Sequence, residues 1–233
     1  MTKLLQNRIS ESKLTLPVTV LCVTGVWLLA GLTQGDWWAS FACFVVSTYL
    51  MIELNNSNAL IRIYSRMVSC VFLVLSAVAC PLFASTEGAW VQVCVVGALL
   101  MIFRTYQDDT SVGSSYYAYL CIGLASLSFV QIVCLIPLLL LMHGVVLHSL
   151  SWRTFFAGFF GLLTPYWFWT CWSVYQQSID QITDHFMALT EWSQPFDFSA
   201  WDGSQVAVLL LLALISVIGI VHYIRTSYLD RIR

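Results

Sequence analysis

Charge is what this sequence has least of. Only 9% of its 233 residues are Asp, Glu, Lys or Arg, while 59% are hydrophobic; soluble domains carry about 25% charged residues. A water-soluble fold of this length could not cover so much apolar surface, so the composition reads as an integral membrane protein. Ionisable acidic and basic groups are also missing from the middle of every apolar run. Proton-coupled carriers, pumps and rhodopsin-like proteins keep such groups at mid-depth, and their absence argues against all three. No GxSxG, HExxH, P-loop or DxD-like pattern occurs, so no nucleophile, metalloprotease or nucleotide site is indicated. Nor is there a CxxC. The eight cysteines all lie inside apolar runs and read as small buried hydrophobes rather than a disulfide frame or metal site. A net charge of −2 suggests no nucleic-acid partner. His143 and His222 lie in apolar runs. Two helix histidines are enough to ligate haem, but no second pair accompanies them. They read as polar tips, and no cofactor is expected.

What is present is a series of long apolar runs. A bilayer core of about 30 Å takes roughly 17–25 residues as a helix, and only helices or closed barrels satisfy the backbone in lipid. The runs are continuous rather than alternating, which selects helices. Spans are expected near Leu14–Leu32, Trp37–Ile52, Met67–Ala84, Ala89–Phe103, Tyr116–Val130, Ile132–Leu147, Phe155–Val174 and Val206–Ile224. The first follows basic residues, as a signal peptide would. Its length, its lack of a small-residue cleavage site and the spans after it make it an uncleaved helix. The expectation is therefore one all-α domain over residues 1–233, a polytopic bundle of about eight transmembrane helices with a long outer loop over 177–203. Several runs are short, and the fifth and sixth are open to being re-entrant.

The basic residues test the threading, because Lys and Arg concentrate in cytoplasmic loops. Eight crossings with both termini cytoplasmic put Lys3, Arg8, Lys13, Arg62, Arg66, Arg104, Arg153, Arg225, Arg231 and Arg233 all on the inner side. The outer connections hold Asp36, Glu87 and the acidic 177–203 loop, with no Lys or Arg. Arg153 is thus a topology anchor at the head of an uncharged run. A single helix over 116–147 would put Arg104 and Arg153 on opposite sides; two segments with a tight turn near Ser126–Gln131 keep them together.

Four polar features are candidates for function. In IELNNSNALIRIYSR, Arg62 and Arg66 share a helix face, and with Asn55, Asn56 and Asn58 they could hold a phosphate or lipid headgroup. Ordinary anchoring beside an asparagine-rich turn explains them equally. In FRTYQDDTSVGSS, Asp108 and Asp109 stand near Arg104 and are expected to pair with it or with Arg62 and Arg66. In the outer loop, Ile179, Ile182, Phe186 and Leu189 recur at helical spacing. This suggests a helix on the membrane surface, with Trp192, Phe196, Phe198 and Trp201 at headgroup level. Asp180, Asp184 and His185 within it form a conceivable divalent-metal site of no specific spacing, against a solvated acidic face. Pro165, inside GLLTPYWFW, reads as a packing kink or a hinge. Gly158 and Gly161 before it allow close helix approach, and Trp167, Trp169 and Trp172 suit an aromatic belt.

The segment from SSYYAYL to TPYWFW, with its short GLASL hairpin and its SWR–GLLTPY signature (Ser151, Trp152, Arg153, Gly161, Pro165, Tyr166), resembles an uncharacterised multi-pass inner-membrane protein family of Bacteroidota. The clear match covers about a quarter of the chain. The resemblance implies a bacterial inner-membrane location and an all-helical fold, and no activity. Family members are often longer at the C-terminus, so the ending LDRIR suggests a shortened version.

The leading expectation is a non-enzymatic scaffold or accessory component of cell-envelope assembly. Its partners would be the bilayer and either another membrane protein or further copies of itself. The alternative is a handler of lipid-linked glycans or lipids: a transferase, polymerase or flippase using Arg62 and Arg66 or the outer loop. A small-solute transporter comes third.

Overall fold

The computed structural model describes residues 14–30, 32, 37–58, 67–78, 85–190 and 203–232, and all of these are helix or the turns between helices. The helices are α1 (Thr15–Leu29), α2 (Trp38–Asn58), α3 (Met67–Val78), α4 (Thr86–Phe103) and α5 (Val112–Ser128). They continue with α6 (Val130–Val146), α7 (Trp152–Tyr175), α8 (Asp180–Met187) and α9 (Gly203–Ile232). The chain is thus all-helical among the described residues, as its composition predicts.

Two stretches, Trp38–Ser57 and Thr86–Phe103, are long and apolar enough to cross a membrane by themselves. The apolar stretches in α1, α3, α6 and α9 are shorter. α7 has 24 residues, about 36 Å at 1.5 Å per residue.

Local chemistry moves several helix ends away from the apolar runs. α2 continues past Ile52 through Glu53, Leu54, Asn55 and Asn56 to Asn58, so the asparagine stretch is helix rather than turn. No glycine or proline interrupts it, and the Ser57 hydroxyl donates back to the Glu53 carbonyl at 2.7 Å. α4 begins at Thr86, before the apolar run, because the Ser85 side chain accepts the Gly88 N–H. α7 begins at Trp152 because Ser151 and Thr154 form a reciprocal capping box.

The helices pack in a row: α1 on α3, α3 on α2, α2 on α4, α4 on α5, and α5 on α7. Residues 116–147 form two segments, not one. Phe129 takes an extended conformation (φ −143°, ψ 97°) that ends α5, and α6 starts as a tight 3-10 turn over Val130–Leu135. α6 then returns the length of α5, since the Gln107 N–H donates to the Leu147 carbonyl at 3.0 Å. Arg104 and Arg153 therefore lie at the same end of this unit, and Glu53 joins them by an ion pair to Arg104 at 3.8 Å.

α5 and α7 run parallel and in direct contact. A methyl group on Gly161 would collide with the Tyr116 carbonyl, and one on Gly123 would stand 2.9 Å from the Leu162 carbonyl and 2.7 Å from the Pro165 ring. Only glycine permits two backbones this close. Pro165 is buried in this contact, and α7 runs through it as one helix; its place is in the packing of α7 on α5.

All seven described cysteines are free. Cys70 and Cys94 are buried, but Cys22, Cys134 and Cys171 are exposed. The expectation of buried thiols fails for these three, because a weakly polar thiol is tolerated on a helix face turned away from the bundle.

Candidate functional site: polar clasps at the two ends of the α5–α7 unit

At the Arg104 end, Thr105, His143, Ser149 and Thr154 are each fully buried. The chain reaches this arrangement through backbone departures. Gln107 and His148 are left-handed without being glycine, at φ 56° and 53°, which costs about 1 kcal/mol or more each. The last turn of α6, Met142–Val146, widens to a π turn, and the Ser149 N–H then reaches the His143 carbonyl at 3.2 Å.

A hydrogen-bond network joins these side chains. Thr105 Oγ1 donates to the Ile102 carbonyl at 2.7 Å, beside the Thr105 N–H that reaches the same oxygen at 3.0 Å. The same hydroxyl meets Ser149 Oγ at 2.9 Å and, at a long 3.5 Å, His143 Nε2. His143 Nδ1 has no hydrogen-bond partner. Tyr119 stacks on the ring at 6.3 Å. Thr154 Oγ1 donates to the Ser149 carbonyl at 3.1 Å, and Ser151 Oγ to the Asp109 carbonyl at 2.9 Å. The cluster ties α4, α6 and α7 together. Among the described residues no carboxylate orients the imidazole, as a hydroxyl nucleophile paired with a histidine base requires.

At the other end, Tyr166 of α7 donates to Ser126 Oγ at 2.8 Å, and Ser126 donates on to the Gly123 carbonyl at 2.8 Å. His185 of α8 places Nε2 at 3.0 Å from the Ser126 carbonyl and its ring edge-on to Trp169 at 5.0 Å. Phe186 stacks on Tyr166 at 5.5 Å, and Gln131 Nε2 donates to the Ala188 carbonyl at 3.4 Å. The short helix α8 is thus docked over the α5–α6 turn.

These contacts separate several expected partners. His185 is turned onto Ser126 and Trp169, whereas Asp180 and Asp184 are exposed. Among the described residues no group of three His, Cys, Asp or Glu is placed to hold a metal, so the conceivable metal site is not assembled. Asp108 does not pair with Arg104, which pairs with Glu53 instead. Asp108 Oδ1 accepts from the Thr110 hydroxyl at 2.7 Å and its N–H at 3.0 Å, and these bonds hold its carboxyl below the usual carboxylate range. Asn55 is buried in α2 and Asn56 exposed, while Arg62 and Arg66 lie outside the described residues, as do Trp192, Phe196, Phe198, Trp201 and the side chain of His222. Arg153 is exposed in the first turn of α7.

Sequence reasoning missed Thr105, Tyr119, Ser126 and Ser149 as partners, because a lone hydroxyl in an apolar run has no spacing signal. The Ser151–Thr154 capping box was legible as Ser-x-x-Thr. No protein-family model, curated protein or solved structure matches the chain.

Proposed function

We propose that the chain is a multi-pass protein of the bacterial inner membrane that acts as a non-enzymatic scaffold or accessory component of cell-envelope assembly. It would cross about eight times with both termini in the cytoplasm, the Arg104–Arg153 end inside. The observation that carries the scaffold reading is how the polar side chains at the two ends of the α5–α7 unit are used. They fasten one helix to the next, and between the ends the α5 and α7 backbones touch through Gly123 and Gly161. A rigid, closed contact of this kind suits a part that holds others in place better than one that must open for a solute. The SWR–GLLTPY residues fit the same reading: Ser151 caps α7, Gly161 and Pro165 seat it on α5, and Tyr166 ties it to Ser126. Membership of the Bacteroidota family is proposed on the resemblance of the SWR–GLLTPY segment itself.

The test is gentle purification from the native membrane, with mass spectrometry of everything retained. A stoichiometric membrane-protein partner is expected. A lone chain carrying a polyprenyl-phosphate ligand, lost on Arg62→Ala with Arg66→Ala in a correctly threaded protein, would replace this reading with the lipid-handling one.

A further inference from the structure

The chain turns back on itself after α7. Gln177 is left-handed at φ 56°. Its N–H donates to the Val174 carbonyl at 3.1 Å, and the Ser178 N–H to the Ser173 carbonyl at 3.0 Å. A helix ending of this form normally has glycine at the left-handed position, so glutamine there is strained. Beyond the corner, α8 runs back along α7. Phe186 stacks on Tyr166 and His185 meets Trp169, both well short of the end of α7 at Tyr175. The Tyr166–Ser126 hydrogen bond sets these two residues level. α5 stops soon after, at Ser128, so α7 overhangs it by about seven residues, or about 10 Å. α8 lies in that step.

Few contacts hold α8 there. None of its residues is buried, and Phe186 stays 47% exposed on Tyr166. His185 Nε2 lies 3.0 Å from the Ser126 carbonyl, and Gln131 Nε2 reaches the Ala188 carbonyl at a long 3.4 Å. A carbonyl only accepts, so His185 is the donor. The Ser126 carbonyl belongs to the last turn of α5, where carbonyls run out of helical partners. α8 also has a second resting place. Ile179, Ile182 and Phe186 form one apolar stripe along it, which suits a membrane surface, and Ile179 is already exposed in the docked helix. A segment with so few buried contacts opens before the rest of the molecule.

We propose that α8 is a hinged strap, with its corner at Gln177 and its latch at His185–Ser126. It closes over the α5–α6 turn and opens onto the membrane surface. Closed, it supplies a donor to the Ser126 carbonyl and covers the turn. On the multi-pass reading the turn stands below the outer surface, where an unpaired carbonyl is costly. Open, it uncovers Tyr166 and Trp169 and admits water to the outer end of α5. The water-gating role rests on the multi-pass reading; the strap itself does not.

Hydrogen–deuterium exchange of the full chain in nanodiscs, read by mass spectrometry, tests the proposal. Residues 179–190 should exchange about tenfold faster than residues 152–165 of α7. His185→Ala should raise exchange about tenfold in 179–190 and in the turn over 126–135, and leave 152–165 unchanged. His185→Gln, whose side-chain amide can still donate, should recover part of the protection. Gln177→Gly should slow exchange of 179–190 about fivefold, because glycine adopts the closed corner without strain. Equal protection of 179–190 and 152–165 overturns the strap. So does a His185→Ala chain in which all three segments speed up together, since α8 would then be a fixed part of the core. An unchanged 126–135 segment in that chain overturns it too, since α8 would not cover the turn. A chain that alkaline washing strips from membranes overturns the multi-pass reading and the gating role with it, while the exchange contrast still decides the strap.

Discussion

The two ends of the helix row meet the same packing problem by opposite means. Where α1, α2 and α3 meet, bulk fills the space: Trp27 is 1% exposed, its ring 5.5 Å from those of Phe41 and Phe44, with Val23 and Leu73 alongside. Where α5 meets α7, the space has been removed, glycine letting the backbones touch, and hydroxyls and imidazoles close the ends. On the multi-pass reading proposed above, lipid supplies no hydrophobic drive between helices, so association depends on close packing and interhelical hydrogen bonds. The aromatic end can lose a side chain and collapse around the gap. The glycine end has no slack and cannot accept one.

The largest effect should therefore come from adding atoms to the tight contact. Gly161→Leu puts a side chain against the Tyr116 carbonyl. It should lower stability by on the order of 3 kcal/mol, read as a shifted denaturation midpoint in detergent micelles. Gly25→Ala in α1, with nothing within 4 Å of the new methyl, should be neutral or raise stability by up to about 1 kcal/mol. If both glycines respond alike, the contrast between the two ends is wrong.

Removing atoms should rank second. Trp27→Ala takes out the centre of the aromatic cluster and should cost about 2 kcal/mol. On the same reading that is less than the 3–5 kcal/mol of a water-soluble core, because only packing is lost in lipid. Thr105→Val sharpens the comparison from the polar side. It leaves the buried Ser149 hydroxyl without its 2.9 Å partner and should cost about 1–2 kcal/mol. His143→Phe should cost less than Thr105→Val, since its contact to Thr105 is 3.5 Å and its Nδ1 is already unpartnered. The reverse order in thermal unfolding would move the centre of the clasp from Thr105 to His143.

The smallest effect is the Asp108 turn. Its folded pKa lies below the ordinary value of 3.8 because Thr110 bonds the carboxylate. The turn's contribution is therefore complete above that ordinary value and is lost only as pH falls through the lower folded one. Stability from this group should be flat between pH 5 and 8, and a carboxyl titration by NMR should show a midpoint below 3.8 that returns upward in Thr110→Val.

Local chemistry in the chain announces helical class, most helix positions and several ends. Apolar runs mark α2, α4 and α7, and Ser-x-x-Thr at Ser151 marks the start of α7. Gly158, Gly161 and Pro165 announce a close approach without saying to what. Glycine spacing reports that a neighbour can come near; it carries no address. The break at Phe129 was legible only through the sidedness of Arg104 and Arg153.

By itself, then, the sequence determined what is written in runs and neighbours: apolar helices, their caps, and a distribution of basic residues that places Arg104 and Arg153 on one side. The tertiary structure alone decided that α5 and α7 lie parallel, and that Thr105, His143 and Ser149 share a hydrogen-bond chain. It also decided that Arg104 answers Glu53 rather than Asp108, and that His185 leaves its aspartates for Ser126. The physical reason is that these pairings depend on where the chain turns. Those turns rest on left-handed Gln107 and His148 and on a widened turn at Met142–Val146, conformations that packing imposes and no local residue preference predicts.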